Sequence, residues 1–161
     1  MYYFPCSLFI TYHMRIAFDL DNTLVPYANE FPVERQSFLK RILQVEPLRV
    51  GARELFQKLD QSGHEIWIYT TSFRTVLRIR ITFWVNGIRL KGIVNQKIHS
   101  SIMKGRSESY SKYPPAFDID LLIDDAEGVK LEGEKGGFNV IWVKPNDINW
   151  VEKVLKEISI L

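Results

Sequence analysis

The sequence predicts an α/β fold, a Rossmann-like three-layer sandwich in which one parallel sheet of about five strands is covered by helices on both faces. Short apolar runs rich in β-formers alternate along the chain with amphipathic helical patterns. That alternation is typical of parallel sheets. Several of the apolar runs end abruptly in acidic or hydroxyl residues, as expected of strands whose carboxyl ends face a cleft.

Each predicted strand is a short apolar run, of the kind that is buried on both faces of a parallel sheet. The five predicted strands cover residues 15–21, 64–72, 93–94, 119–125 and 138–143. Residues 25–47 predict a turn-rich flap with one short helix near residues 36–43. Residues 97–113 predict a basic, serine-rich loop with room for a helical turn.

Amphipathic helices are predicted from apolar residues that repeat with helical spacing. The expected core-facing residues are Ala52, Leu55, Phe56 and Leu59 before the second strand; Leu77, Ile81, Trp84 and Ile88, with Phe83, after it; and Ile148, Val151, Leu155 and Ile158 near the C-terminus. Gly63 and Gly87 are expected to follow the ends of the first two helices, because glycine adopts the left-handed conformation that commonly terminates a helix.

The composition is that of an ordinary soluble globular protein, with 46% hydrophobic and 25% charged residues. No apolar run approaches the ~20 residues of a membrane-spanning helix, so no membrane partner is expected. The one cysteine, Cys6, excludes an intrachain disulfide and favours a cytoplasmic location. Residues 1–13 precede a second methionine, Met14, and are either an N-terminal extension or the result of a mis-assigned start. Residues 14–161 are expected to form a single domain.

Positive charge is concentrated in the middle of the chain. The net charge is +2, but residues 74–112 include nine lysine or arginine residues and one acid, Glu108. Such a segment is most often a solvated face, and it is also the pattern of a surface that binds an anionic partner. Both interpretations stay open at this point.

Polar residues at the ends of the predicted strands converge on one edge of the sheet. They are Asp19 and Asp21, Thr70 and Thr71, and Asp124 and Asp125, with Lys112 shortly before the fourth strand. Carboxylate oxygens select Mg²⁺, which accepts a substrate phosphate as a further ligand. A carboxylate can also attack phosphorus, while hydroxyl and ammonium groups hold the phosphoryl oxygens. The set therefore predicts Mg²⁺-assisted phosphoryl transfer.

These residues resemble the motifs of the haloacid dehalogenase superfamily of phosphohydrolases, and they occur in the same order along the chain. Asp19-Leu20-Asp21-Asn22-Thr23 is similar to the first motif, Asp-x-Asp-x-Thr; Ile-Trp-Ile-Tyr-Thr70 resembles the second, Lys112 is the candidate for the third, and Leu-Leu-Ile-Asp124-Asp125 resembles the fourth. The resemblance covers about residues 14–145 and implies a Rossmann-like domain of the haloacid dehalogenase type.

The resemblance also implies a Mg²⁺-dependent phosphatase that works through an aspartyl-phosphate. Asp19 would be the nucleophile and a metal ligand, and Asp21 would be the general acid, with its backbone carbonyl on the metal. Thr70 would donate a hydrogen bond to the phosphate, and Lys112 would neutralise the nucleophile and the phosphoryl oxygens. An acid at position 21 favours phosphatase over dehalogenase chemistry, because a leaving alkoxide needs a proton donor.

Several assignments keep alternatives. Asp125 is the preferred metal ligand of the fourth motif, with Asp124 as its neighbour and a water-mediated ligand. The hydroxyl is that of Thr70, Thr71 or Ser72, and the lysine is Lys112, Lys104 or Lys97. Thr71, Arg74 and Arg78 are candidates for substrate binding, although two arginines four residues apart are usually a solvated helical face.

The short segments between strands predict a capless or minimally capped enzyme. An open cleft suits large substrates such as phosphoproteins or nucleic-acid ends, and a second subunit of a homodimer is the alternative source of a lid. A different function class is a phosphate- or nucleic-acid-binding module with little turnover. A receiver domain fits less well, because its acceptor aspartate normally ends a middle strand, and the middle strand here is expected to end in Thr70.

Overall fold

The computed structural model of the protein describes residues 13–105 and 110–161. The predictions that concern residues 1–12, Cys6 among them, and residues 106–109 of the basic segment lie outside the described residues. The strands are β1 (Arg15–Phe18), β2 (Glu65–Tyr69), β3 (Gly92–Val94), β4 (Leu121–Asp124) and β5 (Asn139–Trp142). The helices are α1 (Phe38–Ile42), α2 (Ala52–Gln61), α3 (Val76–Val85), α4 (Gln96–Met103), α5 (Glu127–Gly136) and α6 (Trp150–Ile158), with a 3₁₀ helix at Pro114–Phe117.

The five strands form one parallel sheet in the order β3-β2-β1-β4-β5. The α/β sandwich with a parallel five-stranded sheet is therefore confirmed. The strand order reverses next to β1, because β2 and β3 lie on one side of it and β4 and β5 on the other. Parallel sheets bind their ligands in the crevice at such a switch point, outside the carboxyl ends of the strands.

The middle strand of the sheet is β1, not β2. The argument against a receiver domain from Thr70 is therefore wrong, because Thr70 does not follow the middle strand. Receiver domains have the flavodoxin-like strand order β2-β1-β3-β4-β5. The order in this protein is different, and this difference is the evidence against a receiver domain.

Both faces of the sheet are buried, which explains why the strands are nearly continuous apolar runs. Ile16 and Phe18 of β1 belong to a cluster with residues of α2, α3 and α6. Ala17 faces the opposite way, into a smaller cluster that includes Tyr69 and Val129 and packs against α4 and α5. Successive side chains of a strand point to opposite faces, so β1 anchors both layers of helices.

Helix α2 buries the face that its spacing predicts. Its buried residues are Ala52, Leu55, Phe56 and Leu59. Gly63 follows the C-cap with a φ of 84°, a left-handed conformation that favours glycine and ends the helix where expected. The short helix predicted near residues 36–43 is also present as α1, with Ser37 as its N-cap.

The prediction for α3 is wrong about which side is buried. Phe83 is buried as expected, but its buried neighbours are Ile79 and Thr82. Leu77 and Trp84 are mostly exposed. The sequence of α3 is apolar on several sides, so spacing alone does not select the buried face. In the structure Phe83 packs against Phe56, with 5.9 Å between the ring centroids, and this contact fixes which face is buried.

Two further predictions need correction. Residues 97–113 do not form only a loop, because α4 occupies the first part of this segment. Its N-cap Asn95 accepts a hydrogen bond from the backbone N–H of Ile98 at 3.1 Å. Too few apolar residues follow this cap for their spacing to indicate a helix. In the C-terminal helix, Val151, Leu155 and Ile158 pack against the core as predicted, although the fully buried residues are Trp150 and Val154. Ile148 lies before the helix and is exposed.

Among the residues described, no helix is long and apolar enough to span a bilayer.

Candidate functional site

The turn after β1 positions the two aspartates of the first motif. The backbone N–H of Asp19 donates to the carbonyl of Ile123 at 2.8 Å, which extends the contact between β1 and β4 by one residue. The chain then reverses: Asn22 N donates to the carbonyl of Val25 at 2.7 Å, and Val25 N donates to that of Leu20 at 2.8 Å. Asn22 has a φ of 57°, a conformation that asparagine tolerates better than most residues. The two carboxylates therefore lie on a compact turn.

Lys112 lies at the centre of the site. Its ammonium group donates to Oδ1 of Asp19 and, at 2.6 Å, to Oδ2 of Asp124. All three side chains are buried. The alternative lysines, Lys97 and Lys104, are exposed on α4 and at its C-terminal end. The structure thus brings Lys112, and neither alternative, to the two aspartates.

The backbone on both sides of Lys112 is held by side chains that the sequence analysis did not identify. Ser111 donates from its backbone N–H and its hydroxyl to the carboxylate of Glu132 on α5, at 2.7–3.1 Å. On the other side, Tyr113 N donates to the hydroxyl oxygen of Tyr69 at 2.8 Å.

The hydroxyl of Tyr69 makes a second contact that steadies this support. It lies 2.6 Å from Nδ1 of His99 on α4, and both side chains are buried. Burial lowers the pKa of His99, and the positive charge of Lys112 lowers it further, so the neutral ring is favoured. No spacing rule links Tyr69, His99 and Lys112, since they come from three different segments of the chain.

Three carboxylates come together next to Lys112. Asp19, Asp124 and Asp125 each offer an oxygen, and these oxygens lie within 4.8 Å of one another. Three carboxylates beside one ammonium give the cluster an excess of potential negative charge. Hard oxygen donors with this excess charge fit a divalent cation such as Mg²⁺.

The pKa shifts in this cluster follow from burial and crowding. Burial raises the pKa of Asp19 above its usual range, and the charge of Asp124 adds to this effect while Lys112 opposes it. Burial also raises the pKa of Asp125, although the hydroxyl of Thr23 donates to its Oδ1 at 3.0 Å and lowers the pKa. For Lys112, burial lowers the pKa, but the charges of Asp19 and Asp124 outweigh it and the net direction is upward.

The hydroxyl residues after β2 take different positions. Thr70 is buried, and its Oγ1 accepts a hydrogen bond from the backbone N–H of Ser72 at 3.1 Å. Thr71 is exposed. The Oγ of Ser72 is buried without a hydrogen-bond partner among the described residues. The N-cap of α3 is Thr75, so capping this helix does not account for Thr70.

Asp21 lies in a different environment from Asp19. Nη1 of Arg74 lies 2.8 and 2.9 Å from the two carboxylate oxygens of Asp21. The Nε and Nη2 atoms of the same guanidinium donate to Glu46 at 2.7–3.0 Å. Arg74 therefore joins the general-acid candidate to the flap, a link that the sequence did not predict.

Arg78 also contacts the flap rather than the three-aspartate cluster, because its Nη2 donates to the backbone carbonyl of Gln44. Lys40 of α1 donates to Oδ1 of Asn86, just after α3, at 2.7 Å. Together with the pairing of Arg74 and Glu46, these contacts hold residues 40–46 along the side of α3. Of the two arginines predicted to bind substrate, only Arg74 reaches an aspartate of the site.

A buried arginine, Arg49, supports the turn that follows β1. Arg49 donates to the backbone carbonyls of Lys144, Pro145 and Asp147 at 2.6–3.1 Å, and its guanidinium lies over the ring of Trp150, 4.9 Å from the centroid. Burial lowers the pKa of Arg49 to about 10. The backbone N–H of Arg49 also donates to Leu24 O at 2.7 Å, which ties this support to the turn that holds Asp19 and Asp21.

No family model matches the sequence, and no curated protein matches it. Among solved structures, the chain is similar to an uncharacterized protein from Corynebacterium glutamicum ATCC 13032 Kitasato. The identity is 14%, the match covers 91% of this chain and 93% of that chain, and the TM-score is 0.49. The chemistry of the site is therefore the basis on which a function can be inferred.

Proposed function

We propose that this protein is a Mg²⁺-dependent phosphatase of the haloacid dehalogenase type, which hydrolyses a phosphate monoester through an aspartyl-phosphate. The observation that carries the proposal is the buried contact of Lys112 with Asp19 and Asp124, beside Asp125, at the switch point of the sheet. Two buried acids and a partly buried third acid beside one buried lysine cost stability unless they bind something. A phosphoryl group with a divalent cation supplies the matching charges.

Asp19 is the nucleophile in this proposal. A carboxylate oxygen of Asp19 forms a bond to phosphorus while the bond from phosphorus to the leaving oxygen breaks, and the leaving oxygen receives a proton from Asp21. A water molecule then attacks the aspartyl-phosphate, giving a proton to Asp21, and the products are inorganic phosphate and free Asp19. Each residue thereby returns to its starting state.

Lys112 and Thr70 would hold the phosphoryl group. The ammonium of Lys112 touches Asp19 already, so it is placed to neutralise both the nucleophile and the oxygens of a phosphate seated there. The Oγ1 of Thr70 accepts from Ser72 N, which leaves the hydroxyl proton of Thr70 to be donated to a phosphate oxygen. The buried Oγ of Ser72 is a second donor close by in the chain.

Asp19, Asp124 and Asp125 would hold Mg²⁺, with the backbone carbonyl of Asp21 as a further ligand. When bound, the ion supplies positive charge opposite the phosphoryl oxygens. Asp124 is committed in part to the protein, because its Oδ1 accepts from Ala126 N at 2.8 Å and its Oδ2 accepts from Lys112. Asp125 has fewer protein contacts and is the better direct ligand.

The proposal is tested by the Asp19→Asn variant with an aryl phosphate and Mg²⁺. Turnover should fall to background, because an amide cannot form the phosphoryl intermediate, while the circular dichroism spectrum stays that of the wild type. Asp60→Asn, the same change at an exposed position of α2, is the matched control and should retain full activity. Wild-type turnover in Asp19→Asn would exclude Asp19 as the nucleophile.

A second candidate is a phosphate- or nucleic-acid-binding module with little turnover. It is favoured by residues 74–105, which include seven lysine or arginine residues and no acid. Salt-dependent oligonucleotide binding without release of phosphate from any monoester would select this function over the phosphatase.

A further inference from the structure

Two aromatic side chains next to the site are exposed to solvent. Tyr27 is 72% exposed, and Phe73, which precedes Arg74, is 83% exposed. The backbone N–H of Tyr27 donates to Oδ1 of Asn22 at 3.4 Å, which ties Tyr27 to the turn that holds Asp19 and Asp21. Rings that stand in water beside a cleft are free to stack on a flat substrate group.

The apolar surface continues from Phe73 along the outer side of α3. Leu77 is 66% exposed, Ile81 is 36% exposed and Trp84 is 70% exposed. The intervals of four and three residues place Leu77, Ile81 and Trp84 in one row, because residues three and four apart share a helix face, and Phe73 lies just before this helix. The row begins beside the candidate site and ends in a large exposed indole.

The surroundings of this row are cationic. Residues 74–89, which comprise α3 and the segments beside it, include four arginine residues and no acid, and residues 35–46 of the neighbouring flap add three basic residues and one acid, Glu46, which pairs with Arg74. Lys40, Arg74 and Arg78 make the contacts that fix the flap to α3. Arg41, Arg80 and Arg89 are exposed. A surface that combines exposed rings with unbalanced positive charge is complementary to single-stranded nucleic acid.

We propose that the substrate is the phosphorylated end of a single-stranded nucleic acid. The inference rests on the proposed function and names its substrate class. The terminal phosphate lies at Asp19 and Lys112, the terminal base stacks on Tyr27 and Phe73, and the following nucleotides run along α3 toward Trp84. Arg80 and its neighbours contact the backbone phosphates.

Other partners agree less well with these observations. A duplex keeps its bases stacked on each other, so it does not use the exposed rings at Tyr27, Phe73 and Trp84. A second copy of this chain, placed symmetrically on the same surface, would bring like charges together. A phosphopeptide needs the phosphate site but gives no reason for several exposed rings beside the arginines of α3.

Binding is measured with the Asp19→Asn variant, so that the phosphate is not removed. The probe is a ten-nucleotide oligonucleotide, phosphorylated at the 5′ or the 3′ end and labelled at the other, followed by fluorescence anisotropy. Three to four phosphate contacts should give a slope of log affinity against log salt of about −2 to −3, at roughly −0.7 per contact. The matched duplex should bind at least tenfold more weakly.

Substitutions separate stacking from general apolar contact. In the Asp19→Asn background, Phe73→Leu and Trp84→Leu keep bulk but remove the ring, and each should weaken binding by about tenfold. Leu131→Ala, a change at an exposed position on α5, is the control and should leave binding unchanged. Arg80→Gln should reduce the salt slope by about 0.7, whereas Lys156→Gln on α6 should not change it.

Turnover by the wild-type protein decides whether bound nucleic acid is the substrate. The value of kcat/KM for one of the two phosphorylated oligonucleotides should exceed that for a phosphopeptide and for a sugar phosphate by at least tenfold. A preference for the phosphopeptide overturns the inference, and so does oligonucleotide binding that Phe73→Leu and Trp84→Leu do not weaken. If aryl phosphate is still hydrolysed in these cases, the proposed function stands. Oligonucleotide binding with no release of phosphate from any monoester overturns both and supports the binding module.

Discussion

Asp19 and Asp21 are two residues apart in the sequence and lie in opposite environments. Asp19 is buried and contacts Lys112, which is buried too and shared with Asp124. The side chain of Asp21 is partly exposed and pairs with Arg74, which is itself held by the flap through Glu46. One carboxylate is thus fixed in the core of the sheet, and the other lies nearer the surface and is held through Arg74 by the flap.

The difference corresponds to what each aspartate does in the proposed reaction. A nucleophile gains from a fixed position and from a buried counter-charge. A general acid must release and accept a proton and therefore needs access to the leaving group and to water. Substitutions of the two cationic partners, Lys112 and Arg74, should accordingly have unequal effects.

The largest effect on stability is expected from Lys112→Met. Removal of the ammonium leaves Asp19 and Asp124 buried without their counter-charge, and the free energy of unfolding should fall by about 3–5 kcal/mol. Arg74→Met, the matched change at the partly exposed pair, should cost about 1 kcal/mol or less. Urea unfolding of the two variants measures both values. Equal losses of stability would contradict the expected difference between the buried contacts of Lys112 and the partly exposed contacts of Arg74.

Mg²⁺ should stabilise the folded protein by binding at Asp19, Asp124 and Asp125. At a concentration one hundred times its dissociation constant, an ion that binds only the folded protein raises the free energy of unfolding by about 2.7 kcal/mol. Asp125→Asn should reduce this gain strongly, whereas Arg74→Met should preserve it. Thermal unfolding with and without Mg²⁺ measures the gain, and removal of the ion by a chelator should restore the lower Tm. An identical gain in Asp125→Asn would place the ion elsewhere.

Tyr69→Phe tests the support of Lys112. Loss of the hydroxyl leaves the buried ring of His99 and the backbone N–H of Tyr113 without this partner, which should cost about 1–3 kcal/mol. Because Tyr113 follows Lys112 directly, kcat for an aryl phosphate should fall more than KM changes. Val154→Ala, which removes buried methyl groups of α6 outside the site, controls for a general loss of stability. A normal kcat in Tyr69→Phe would show that Lys112 needs no such support.

The smallest effect is a pH dependence of stability that comes from His99. Its pKa is lowered in the folded protein, so between the folded value and the unfolded value of about 6.5 the unfolded chain binds more protons. The contribution of His99 is therefore complete above about pH 6.5 and declines as the pH falls. Urea midpoints of the wild type and His99→Gln, compared from pH 5 to 8, should converge at the acidic end. A constant difference would contradict the assigned direction.

The sequence predicted the buried face of a helix correctly where the apolar residues lie on one side only. In α2 the charged residues Arg53, Glu54, Lys58 and Asp60 mark the outer side, so the buried face is unambiguous. In α3 apolar side chains cover several sides, and the choice of face depends on what lies beneath. Helix α4 was missed because its cap is followed by few apolar residues, and its burial rests on contact of His99 with Tyr69.

The sequence alone determined the alternation of strands and helices and the placement of polar residues at strand ends, because both follow from local periodicity and from the parallel arrangement it implies. It identified Asp19, Asp21, Thr70 and Asp124–Asp125 on that basis. Only the tertiary structure brought Lys112 to Asp19, separated the surroundings of Asp19 and Asp21, and joined Arg74 to Glu46. These contacts connect residues 28–93 positions apart, and no local pattern encodes which distant side chains meet once the chain is packed.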